Sequence, residues 1–116
     1  MLRKIGLSLL CLAGTAAPLA AAEQEVMLMG LGYFPDEVYV SVGDVINFVN
    51  DSTVPMSATA IDASWDSGVL QPGETYALEV TEGMQGAFGD TYAADSTAAG
   101  IIDYVNPAPL ELDNNF

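Results

Sequence analysis

The chain has 116 residues, of which 16 are Asp or Glu, two are Lys or Arg and none is His, giving a formal net charge of −14. Such a balance excludes nucleic acid and anionic membrane surfaces as natural partners and favours basic proteins and cations. With no His, and no Lys beyond position 4, the chain has no His or Lys to serve as the general base that a Ser or Thr nucleophile needs.

In chain order, Arg3 and Lys4 open a short positive start, and Ile5 to Ala17 form an apolar stretch too short to cross a bilayer comfortably. Ala20-Ala21-Ala22 supplies the small-x-small pattern that signal peptidase reads, so residues 1–22 are expected to be a cleaved secretory signal. Leu9-Leu10, ahead of Cys11, lack the small residue that precedes a lipoprotein cysteine, so no lipid anchor is expected. Cleavage would leave a periplasmic or secreted chain with no cysteine, held by its apolar core alone. Both basic residues would leave with the signal, and all 16 acidic residues follow it. Their mutual repulsion keeps the chain soluble and works against the compact state.

The remainder reads as short strands separated by turn residues. Glu25–Met29 is apolar and runs into Gly30-Leu31-Gly32. Glu37–Val42 alternates, with Val38, Val40 and Val42 on one face, and Gly43-Asp44 turns the chain into Val45–Asn50. Met56–Ile61 is a weaker strand after Pro55, and residues 62–73 are loop-like. Thr75–Val80 alternates again, with Tyr76, Leu78 and Val80 inward and Glu79 outward. Gly86–Tyr92 and Gly100–Val105 complete the set, and residues 107–116 form an extended tail beyond a domain of residues 23–106. No segment has a convincing helical period, so about seven to eight short strands predict an all-β sandwich.

Phe34-Pro35, Val38, Val40, Gly43-Asp44, Val45, Phe48 and Asn50 form one motif, and Trp65-Asp66-Ser67-Gly68, Leu70, Pro72-Gly73 and Tyr76 form a second. Both resemble motifs of the cupredoxins, the blue type 1 copper proteins, and most closely the amicyanin and plastocyanin type. Gly86, Phe88 and Gly100 resemble its last strand pair. The resemblance implies a two-sheet Greek-key β-sandwich with copper at one end, held by His, Cys, His and a weak axial Met, a donor set suited to one-electron transfer. Aligned on those motifs, the ligand positions carry Met56, Tyr92, Asp95 and Ala98. No register can supply an imidazole, and Cys11 lies in the expected signal.

Two other constellations bear on metals. Met27, Met29, Met56 and Met84 offer thioethers for Cu(I), although Met more often fills gaps in a core. Asp90 shares the face of Phe88 and Tyr92, where a carboxylate needs hydrogen bonds or a cation unless the strand turns it to solvent. Met56, Asp90 and Asp95 are thus candidates for a weak metal site, and Asp51 is a further oxygen donor if the loops converge on Ca²⁺. A carboxylate pair can in principle do acid–base work, but so small a sandwich leaves little room for a substrate cleft.

The expectation is therefore an exported, non-enzymatic cupredoxin-like domain that has lost the type 1 copper site and acts as a binding or structural module. It would use no cofactor, and its surface for a protein partner would lie around residues 55–57 and 92–99. The alternative is copper binding or electron transfer through Met56 and carboxylates, or through ligands donated by a partner.

Overall fold

The computed structural model describes residues 21–110. Most of the expected signal and the end of the expected tail therefore lie outside the described residues. The strands are β1 (Glu23–Leu28), β2 (Tyr33–Phe34), β3 (Glu37–Tyr39), β4 (Val45–Asn50), β5 (Thr59–Ala60), β6 (Thr75–Glu79), β7 (Ala87–Gly89) and β8 (Ala99–Asp103). They form two four-stranded sheets, ordered β2-β1-β4-β6 and β3-β8-β7-β5.

Each sheet contains one parallel pair, and both parallel pairs join strands distant in sequence. In the first sheet β1 runs beside β4, with Val26 opposite Phe48 and Leu28 opposite Asn50. In the second, β3 runs beside β8, with Val38 opposite Ile102. The remaining pairs are antiparallel, including β4 with β6 and β7 with β8. Alternation sends one row of each sheet inward: Val26, Leu28, Ile46, Phe48 and Leu78 meet Val38, Phe88 and Ile102 in a single core.

Aromatic rings fill its centre. Phe88 packs edge-on against Phe48 and Tyr33, with ring centroids 5.4 and 4.8 Å apart, and Trp65 stacks on Phe48 at 5.9 Å. These offset and T-shaped geometries are favoured by the ring quadrupoles. The Trp65 indole N–H donates to the Gln85 carbonyl at 2.8 Å, so its polar edge is satisfied.

Several strands are shorter than the alternation predicts, because side chains intercept the backbone groups that would extend the ladders. Of the expected strand Met56–Ile61 only Thr59–Ala60 pairs as a strand. The Ser57 N–H donates to the Asp90 carboxylate instead, and the Ala58 N–H to the Ser67 hydroxyl. The strand expected to reach Tyr92 stops at Gly89, since the Thr91 N–H is taken by Ser57 Oγ and the Tyr92 N–H by Asp90. Val42 does not join Val38 and Val40 in the core: it is exposed, beyond the end of β3, where the Asp44 carboxylate accepts the Ser41 N–H and turns the chain. Beyond β8 the Asp103 carboxylate does the same with the N–H groups of Val105 and Asn106, leaving Val105 exposed. The short strand β2 is not foreshadowed by any alternation in the sequence.

Candidate functional site

The β1–β2, β4–β5 and β7–β8 loops meet at one end of the sandwich around a cavity of about 360 Å³. Gly30 and Leu31 come from the first loop and residues 54–56 from the second; Asp90, Tyr92, Ala93 and residues 95–97 come from the third. Four of the five residues singled out from the sequence, Met56, Asp90, Tyr92 and Asp95, line this one cavity. Ala98 does not. It is buried in the apolar core, because β8 begins immediately after it and draws it between the sheets.

Met56 sits at the junction of cavity and core. Its backbone pairs in both directions with Leu70, at 3.0 and 2.7 Å, and its side chain is 1% exposed. The sulfur accepts the Gly30 N–H at 3.1 Å, tying the β1–β2 turn to the β4–β5 loop. Among the other thioethers, Met27 and Met84 are half-buried, whereas Met29 is largely exposed and fills no gap in the core.

Asp90 is half-buried and held through one oxygen. Its Oδ1 accepts the Ser57 N–H at 3.1 Å, the Ser57 hydroxyl at 3.2 Å and the Tyr92 N–H at 2.9 Å. The Ser57 hydroxyl in turn lies 3.1 Å from that of Thr59, and Thr59 Oγ1 lies 3.0 Å from Thr91 Oγ1. Thr59 donates to Asp66 Oδ1 at 2.9 Å, and the same oxygen accepts the Gly68 N–H. A hydroxyl chain thereby bridges two carboxylates under the loops and supplies the donors that their charges require. The Tyr33 hydroxyl donates to the Ser57 carbonyl at 2.6 Å, and burial, reinforced by the negative charge of Asp90, pushes its pKa well above the ordinary phenol value.

The sequence reading missed Ser57, Thr59, Thr91 and Asp66 as a connected unit. The only visible signal is the alternation of Ser57 and Thr59, which puts two hydroxyls on one face of a strand. Of the small residues at positions 93–99, Ala94, Thr97 and Ala99 are exposed, Ala93 is half-buried and only Ala98 is buried, and the larger apolar groups exposed at this end are Leu31, Tyr92 and Val54. Asp95 is exposed and lines the cavity, but Asp51 does not line it. Among the described residues no three His, Cys, Asp or Glu are grouped so as to hold a metal ion, so the three-aspartate convergence considered for Ca²⁺ does not form.

No protein-family model matches the chain, and no curated protein does. Among solved structures it is similar to a novel purple cupredoxin from Nitrosopumilus maritimus, with a TM-score of 0.57 and 18% identity over 69% of this chain and 97% of that one. The fold is cupredoxin-like. That likeness concerns the sandwich, and at such identity the residues of the cupredoxin site are not carried across with it.

Proposed function

We propose that this chain is an exported, non-enzymatic cupredoxin-like domain of the amicyanin and plastocyanin type that lacks a type 1 copper site and serves as a binding module. The donor chemistry at the Met56 end carries the reading. Type 1 copper needs thiolate and imidazole, and residues 21–110 contain neither Cys nor His. The sulfur of Met56 already accepts the Gly30 N–H, and Asp90 is held by three donors on Oδ1, which leaves carboxylate oxygens as the free donors at this end. Such a set does not fit the copper of the family.

The test is a calorimetric titration of the protein, purified after export, with Cu(I) and Cu(II). Neither ion is expected to show a saturable site. One-site Cu(I) binding at micromolar affinity or better, about −8 kcal/mol, would overturn the proposal. It would favour the competing reading, copper handling through Met56 with carboxylates or a partner's ligands, which rests on the presence of Met56 in the cavity lining. Replacing Met56 by Ala should then abolish the copper response.

A further inference from the structure

Building on the binding-module reading, we propose that the cavity at the Met56 end receives an organic cation: an alkylammonium or guanidinium group carried on an apolar stem. The cavity joins two kinds of wall. Leu31, Val54 and Tyr92 form an apolar rim and remain 92, 46 and 51% exposed, while Asp90 and Asp95 bring negative charge to the same lining. A concave site with apolar walls and a few convergent polar groups is the usual form of a ligand site.

Asp90 is prepared for such a ligand. Its Oδ1 is fixed by three donors, whereas its Oδ2 has no hydrogen-bond partner among the described residues, and neither does the carboxylate of Asp95. A carboxylate already anchored on one oxygen need not be ordered when a cation arrives, which lowers the cost of binding. The Tyr92 ring adds an aromatic face of the kind that attracts ammonium and guanidinium groups.

The cation has to come from outside. The chain has no Lys, Arg or His beyond position 4, so no internal side chain competes for these carboxylates. A bare metal ion suits the cavity less well, because no three ligating side chains are grouped there and the apolar rim offers it nothing. A Lys or Arg side chain of a partner and a free amine present the same chemistry, and the experiment separates them.

Isotope-labelled protein, purified after export, is titrated with N-acetyl-arginine amide and separately with the capped tripeptide Leu-Arg-Leu. The amide resonances are followed in about 150 mM NaCl, where surface charges are screened beyond about 8 Å. Saturable shifts are expected in residues 30–31, 54, 56–57 and 90–97. Asp95→Asn should weaken binding about fivefold or more by removing a charge-assisted contact, and Tyr92→Ala about threefold. Glu82→Gln, outside the cavity lining, should leave it unchanged. Tighter binding of the tripeptide assigns the site to a partner's side chain, and equal binding shows that the cation on its own stem is recognised without flanking chain, as a free ligand would be. Shifts scattered over the acidic surface, or insensitive to Asp95→Asn and Tyr92→Ala, would overturn the proposal. If that happens while copper also fails to bind, only the cation site falls and the binding-module reading stands.

Discussion

Asp90 and Tyr33 show how single residues hold the loop end together and what each should cost when altered. Asp90→Ala leaves the Ser57 N–H, the Ser57 hydroxyl and the Tyr92 N–H without their acceptor, a loss of about 1–3 kcal/mol of stability. Asp90→Asn keeps an acceptor oxygen and should lose less. Urea unfolding followed by the fluorescence of Trp65, the single tryptophan, measures both, and equal losses would contradict the assigned bonds. Met56→Ala, at a site 1% exposed, should cost about 2–5 kcal/mol by leaving a cavity in the core. Tyr33 supplies a pH signature. Its pKa is raised in the folded state, by burial first and by Asp90 second, so the folded protein keeps the phenol proton after the unfolded chain has lost it. Stability should therefore be full below about pH 10, the ordinary phenol value, and fall as pH rises beyond it. In Tyr33→Phe that alkaline slope should shrink, as measured by urea midpoints from pH 8 upward on a scale of about one ordinary titration.

The β7–β8 pair tests how elements are fitted. A Cβ at Gly100 would stand 2.7 Å from Phe88 Cε2 and closer still to Cζ, and Phe88 is hemmed in by Tyr33, Phe48 and Trp65. Gly100→Ala should therefore destabilise by about 1–3 kcal/mol through overpacking. Gly32→Ala, where nothing lies within 4 Å, should stay within about 0.5 kcal/mol. A neutral Gly100→Ala in thermal melts would show that Phe88 has room to move. This close approach is invisible in the sequence, whereas β4 and β6 are legible because Ile46, Phe48 and Leu78 are buried between neighbours that are less buried, half-buried in β4 and exposed beside Leu78. Strand ends are legible only where glycine marks a turn. The expected strands from Met56 and from Gly86 run too long because Asp90, Ser57 and Ser67 divert backbone N–H groups through side chains as far as 34 residues away. No local pattern encodes such cross-loop bonds. Met56, Tyr92 and Asp95 can be found because the family motifs bracket them, Asp90 because alternation puts it on the face of Phe88, and Ala98 is misplaced because the start of β8 pulls it inward.

At the scale of the whole molecule, charge without counter-charge outweighs any single contact. From residue 5 onward there are 16 carboxylates and no basic side chain, so no side-chain ion pair offsets their repulsion there. Compaction brings these charges closer together than they are in the unfolded chain, and repulsion therefore weighs against the folded state. Salt shortens the reach of that repulsion from about 30 Å at 0.01 M to about 8 Å at 0.15 M. Stability should consequently rise steeply with NaCl over that range and level off above it, seen as an increasing urea midpoint. The double substitution Glu79→Gln and Glu82→Gln removes two charges from exposed positions outside the cavity lining, and should raise the low-salt midpoint while flattening the salt dependence. A salt response equal in the variant and the parent would mean that salt acts through general effects on apolar burial. The same experiment bears on partner choice, because a surface that gains stability when its repulsion is screened should gain it also when a basic partner binds.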